Sequence, residues 1–126
     1  MKVIAAIQIQ IGELKLQAEI YDTPTGRALI QALPLKSSFR PWGDEIYFRV
    51  PFECETESGA TQNMEVGDIA YWPGGQAVAI FFGPTPMSKG GEPVAYEKVN
   101  RLGKIVGDAT ALKRAKGVRI QLLRKP

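Results

Sequence analysis

The chain has 126 residues, 44% of them hydrophobic and 23% charged, with a net charge of +3, which is the profile of one ordinary globular domain with room for a single core. It contains no histidine and one cysteine, Cys54. Histidine-ligated metal sites, Ser-His-Asp and Cys-His nucleophiles and intrachain disulfides are therefore all excluded.

Val3, Ala5, Ile7, Ile9 and Ile11 are apolar at every second position, with Gln8 and Gln10 between. This period-two pattern predicts a half-buried strand. The same glutamines, with Glu13, interrupt any apolar run that a signal peptide would need, and no stretch approaches the roughly 20 apolar residues of a membrane span. The expected compartment is the cytoplasm. After Gly12-Glu13 the alternation resumes at Leu14, Leu16, Ala18 and Ile20, predicting an antiparallel hairpin.

A helix is expected next. Thr23 suits its N-cap, Pro24 its first position, and Pro34 its end, with Ala28, Leu29, Ala32 and Leu33 on one face. Ser37 onward reads as a loop leading to a strand in which Ile46, Phe48, Val50 and Phe52 alternate with Tyr47 and Arg49. Glu53, Glu55 and Glu57 also alternate, which on a strand gives a solvated acidic edge.

The stretch Gly67 to Met87, GDIAYWPGGQAVAIFFGPTPM, carries the most information. Ala77–Phe82 is apolar at every position, as a strand covered on both faces must be. It is entered through Pro73-Gly74-Gly75 and left through Gly83-Pro84-Thr85-Pro86, so rings lie beside stiff loops, as in a concave binding surface. Tyr71 and Trp72 face opposite sides of one strand, as do Phe81 and Phe82, and at most one of each pair lines a given cavity. Downstream, the Met87–Pro93 loop reads as polar and mobile. Val94–Leu102 reads as strand or irregular, and Lys104–Val106 as a separate short strand. Asp108 caps a short helix over Ala109 to Lys116, and Val118–Leu123 is the last strand. The pattern predicts a mainly β fold, a closed or nearly closed barrel with two short helices capping its ends, forming one domain over residues 1–126.

Charge is uneven. Residues 1–97 hold 7 basic and 12 acidic side chains, whereas residues 98–126 hold 9 basic and 1 acidic. The basic charges are interleaved with Leu102, Ile105, Val118, Ile120 and Leu122 and no aromatic accompanies them, which fits solvent faces of buried elements better than a nucleic-acid platform. Neither nucleic acid nor a membrane is expected as a partner, and the oligomeric state is left open.

Two segments resemble the cyclophilin superfamily. Gly12–Leu33, GELKLQAEIYDTPTGRALIQAL, is similar to its opening hairpin and first helix. Phe81-Phe82, followed by Gly103-Lys104-Ile105-Val106-Gly107, resembles its paired phenylalanines and downstream Gly-Lys-Val-x-x-Gly. The GDIAYWPGGQAVAIFFGPTP block is similar to the small prokaryotic cyclophilin-like proteins, a biochemically uncharacterised subfamily. The resemblance implies a cyclophilin-like barrel. It matches Phe82 to a groove phenylalanine and offers Arg40 as counterpart of the isomerase arginine. Ile80 and Val99 stand where the family has glutamine and histidine.

These residues predict a non-enzymatic domain that binds a small apolar or peptide-like ligand in an aromatic groove, without cofactor or metal. The expected lining is Arg40, Trp42, Phe48, Trp72, Phe82, Pro86 and Met87, with Arg40 orienting the ligand beside Phe82. For Trp42-Gly43-Asp44-Glu45 a turn role is favoured over acid–base work, because adjacent carboxylates on an extended chain point apart. Two alternatives remain open. One is a weak peptidyl-prolyl isomerase relying on Arg40 alone. The other is an assembly module that joins the Glu53–Glu57 edge of one copy to the basic C-terminal quarter of another.

Overall fold

The computed structural model describes residues 1–125. The predicted hairpin forms from β1 (Val3–Ile11) and β2 (Leu14–Tyr21), in register from Ile11 opposite Leu14 to Ala5 opposite Ile20. Helix α1 (Pro24–Ala32) follows, with the Thr23 side chain accepting from the Gly26 N–H as its cap. Then come β3 (Leu35–Ser38), β4 (Arg40–Pro41), β5 (Glu45–Arg49), β6 (Thr61–Asn63), β7 (Asp68–Trp72), β8 (Ala77–Phe81), β9 (Val94–Val106) and β10 (Arg119–Arg124). Residues 73–75 and 109–114 form 3-10 turns, the second capped by Asp108 in place of the expected α-helix.

All strand pairings are antiparallel, and the sheet runs β3-β10-β1-β2-β9-β7-β8-β5-β4, with β6 paired to β9 off this path. The fold is mainly β, as the sequence predicts, and the expectation of a closed or nearly closed barrel holds only in part, because the sheet does not close. Its two end strands, β3 and β4, are consecutive in the chain and separated only by Phe39, and no ladder joins them. The segment from Leu35 to Pro41, expected as loop from Ser37 onward, supplies both sheet edges because its backbone groups find partners on β10 and β5.

Alternation on β8 divides the apolar side chains between two cores. Val78 and Ile80 join the large core with Ile7, Ile9, Ile20, Leu29, Phe48, Tyr71 and Leu102. Ala79 and Phe81 join a smaller cluster on the opposite face with Met64, Ala70, Ala95 and Val99. The whole of β8 is therefore buried, as an uninterrupted apolar run requires. The smaller cluster exists because β9 is one strand of 13 residues, longer than the two separate pieces expected. Its later half pairs with β2 and β7, while its first half pairs with β6 and lies against the outer side of β7 and β8.

The acidic segment also differs from expectation. Residues 50–60 are not a strand, and Glu57 is not part of a solvated edge. Its carboxylate accepts from both the backbone N–H and the hydroxyl of Thr25, in the first turn of α1. Four N–H groups at a helix start lack intrahelical partners and carry partial positive charge, so a carboxylate is drawn there. Asn100, 1% exposed, completes the knot by accepting from the Glu57 N–H and donating to the Thr25 hydroxyl and the Glu55 carbonyl. Among the described residues no helix is long and apolar enough to cross a membrane.

Candidate functional site

The smaller core does not fill its face of the sheet. Beside it opens a pocket of about 290 Å³, lined by Trp42, Glu45, Tyr47, Trp72, Phe81 and Tyr96, with Ala79, Ala95, Glu97 and Val99 completing the walls. Strand alternation explains the membership. Glu45 pairs with Phe81, Tyr47 with Ala79 and Trp72 with Ala77, so all six point to the side opposite Ile46, Phe48, Val78 and Ile80.

Each ring is held by its neighbours. Tyr96 meets Trp42 edge-on at 6.0 Å between centroids and 89° between planes, and meets Trp72 at 5.8 Å and 77°. Tyr47 meets Trp72 at 6.4 Å and 87°. Four rings in successive near-perpendicular contacts form walls rather than a stack, an arrangement that the aromatic quadrupole favours. Trp72 is fixed further by the 2.7 Å hydrogen bond from its Nε1 to Glu97 Oε1. Its indole lies over the 3-10 turn, where a Cβ on Gly75 would collide with Cε3 and Cζ3. Trp42 is placed by a turn in which its N–H donates to the Glu45 carbonyl at 2.8 Å, with Gly43 at φ +62°, a left-handed conformation that side chains disfavour. Pro84 locks this turn from outside by accepting from the Asp44 N–H at 2.9 Å.

Glu45 is the unusual group. It is 8% exposed and lines the pocket, and desolvation alone raises its pKa to about 8. No buried side-chain oxygen among the described residues is sealed away from a partner, so its carboxylate opens onto the cavity. Asp44 points the other way, 3.7 Å from Lys113, as adjacent residues on extended backbone must.

The expected site residues fall into separate places. Trp42 and Trp72 share the pocket. Phe48, 2% exposed, belongs to the large core. Phe82 is also in that core and faces a different cleft, with Phe39, Ile46 and Leu112. Arg40 is exposed on the edge strand opposite Tyr47, on the other side of the sheet from Phe82, and lines neither cavity. Phe82 and Arg40 therefore do not form a common groove. Pro86 is exposed and packs toward Gly43, and Met87 is 43% exposed. The loop after it is crossed by two hydrogen bonds, from the Ser88 hydroxyl to the Glu92 carbonyl and from the Thr85 hydroxyl to that of Val94.

Glu45, Tyr47, Phe81, Tyr96 and Glu97 were not among the expected residues. Period two from Glu45 reaches Tyr47, and the Glu45–Phe81 pairing brings in the first rather than the second phenylalanine. Tyr96 and Glu97 had no local signal, since only the long path of β9 carries them to Trp72.

The Cyclophilin-like family model matches residues 5–122. The chain is also similar to a hypothetical protein from Archaeoglobus fulgidus known from its solution structure. The two are 33% identical over 99% of this chain and 98% of that one, with a TM-score of 0.81. Among curated proteins, none gives a significant match. With the match spanning almost the whole domain, the chain belongs to the cyclophilin-like family.

Proposed function

We propose that this protein is a non-enzymatic binding domain, acting in the cytoplasm, that holds a small apolar or peptide-like ligand in the pocket between Trp42, Trp72 and Tyr96. The observation that carries this reading is the pocket itself, in which four rings in successive near-perpendicular contact line a cavity of about 290 Å³. Preformed apolar cavities of this kind, with a few polar groups, are where small molecules bind. Neither a nucleophile–base pair nor a phosphate loop accompanies the rings. Arg40, the one residue offered for prolyl isomerisation, lies outside the lining.

Both tryptophans of the chain line the pocket, so intrinsic fluorescence reports occupancy directly. A library of metabolites and short peptides, read by tryptophan emission and thermal shift, is expected to give saturable binders. Tyr96→Ala, at a residue 59% exposed, should weaken them without unfolding the protein. Folded protein that gives no saturable response across the library would overturn the reading.

A further inference from the structure

We infer that the pocket recognises a methylated ammonium group, held among the rings of Trp42, Trp72, Tyr47 and Tyr96 and balanced by the carboxylate of Glu45. The inference rests on the binding reading above and adds the chemistry of the ligand. Two independent observations meet in one cavity. The first is a set of four aromatic rings that line one small cavity, with planes turned by 77° to 89° between contacting neighbours. A cation within about 6 Å of such rings is attracted by their quadrupoles, and more strongly where water is excluded. The second is Glu45, a carboxylate only 8% exposed that opens into the cavity, with no salt bridge to it among the described residues. A buried carboxylate with no partner of its own is costly to ionise, and a cationic ligand supplies the missing partner.

The remaining charges agree. Glu97 lies at the rim with one oxygen engaged by Trp72, adding a second negative group. Arg40 and Arg49 are on the same side of the sheet but exposed, and neither lines the cavity. The walls also discriminate among ammonium ions. A primary ammonium presents three donors and needs as many acceptors. The pocket offers Glu45 amid rings and the side chains of Ala79, Ala95 and Val99, which suits methyl groups better than N–H groups. An anionic ligand would meet the Glu97 carboxylate at the rim and a buried carboxyl at Glu45 with no cation in the lining, and is disfavoured.

The test uses choline and its neutral isostere, in which a tert-butyl group replaces trimethylammonium, titrated into the full chain by calorimetry and tryptophan fluorescence. Choline is expected to bind at least about tenfold more tightly than the isostere. Glu45→Gln should bring the ratio of choline to isostere affinity close to one, and Tyr96→Ala should weaken choline with Glu45 intact. Equal binding of choline and isostere to the wild-type protein would overturn the inference while leaving a binding pocket. Failure of choline to bind, with hits of other chemistry in the library, would do the same. Should the library also be silent, the binding reading falls with it. A butylammonium probe that binds more tightly than choline would overturn the methylated assignment.

Discussion

Trp72 and Glu97 lie 25 positions apart in sequence and are joined by one hydrogen bond, 2.7 Å from the indole Nε1 to the carboxylate Oε1. The bond ties the end of β7 to the first half of β9, and so fixes two walls of the pocket relative to each other. It couples a fold decision, the long reach of β9, to the orientation of a ring.

Glu97→Ala removes the acceptor from an exposed position, where Trp72 Nε1 can turn to water instead. The expected loss of stability is small, about 0.5–1.5 kcal/mol by urea unfolding. Pocket order should suffer more than stability. Near-UV circular dichroism from the tryptophans should diminish, and any pocket ligand should bind several-fold more weakly. An unchanged tryptophan spectrum would show that ring packing alone holds Trp72.

Gly75→Ala tests the same wall from below. The added methyl meets Trp72 carbons in the five- and six-membered parts of the ring system, on a side chain also held by Glu97, Tyr47 and Tyr96. The ring must tilt into the cavity, with an expected destabilisation of about 1–3 kcal/mol. Ligand binding should be lost first, which separates this variant from a general core lesion in a fluorescence titration.

Asn100→Ala removes a side chain that satisfies three groups at once: the Glu57 N–H, the Thr25 hydroxyl and the Glu55 carbonyl. The cavity left is polar and the orphaned groups lie beside the start of α1, so about 2–4 kcal/mol of stability should be lost. Because the knot lies away from the pocket lining, the folded fraction should bind ligand as the wild type does. A large change in affinity at matched folded fraction would contradict this separation.

Much of the fold was legible because local chemistry and global arrangement agree. The period-two hairpin, the Thr23 cap and the all-apolar β8 each appear where their residues put them. The failures share a cause. Edge strands β3 and β4 carry little hydrophobic signal, since their pairing comes from backbone groups. Glu57 alternated with Glu53 and Glu55 as on a strand, yet its partner is a helix start 32 residues away. The pocket was half legible. Trp42 and Trp72 mark it, and the rule that adjacent side chains diverge separates Phe81 from Phe82 and Glu45 from Asp44. Which member of each pair faces the cavity depends on cross-strand register, and no single-strand pattern contains that.

The last prediction concerns Glu45 and pH. Burial holds its carboxyl proton until about pH 8 in the folded state, against about 4.5 for the unsuppressed group. Between those values the folded chain binds a proton that the unfolded chain has released, so stability falls as pH rises through this window and levels off above it. At about 1.4 kcal/mol per pKa unit the total is on the order of a few kcal/mol. Asp68, raised mainly by its own burial, contributes in the same direction at lower pH, so the wild-type profile alone does not isolate Glu45. Comparison with Glu45→Gln does. The variant should match the wild type near pH 5, be the more stable of the two at pH 8.5, and show a flatter profile in urea titrations between. The groups sharing the cavity with Glu45 are Tyr47, Tyr96 and Glu97, with Arg40 and Arg49 exposed beside it. None of them is removed by the substitution. A quaternary ammonium ligand should bind more tightly to the wild type as pH rises toward 8 and should release a proton below it, seen as buffer-dependent heats in calorimetry. Parallel stability profiles for wild type and variant would mean that Glu45 ionises in the folded protein as freely as in water, and that the pocket is wetter than its rings suggest.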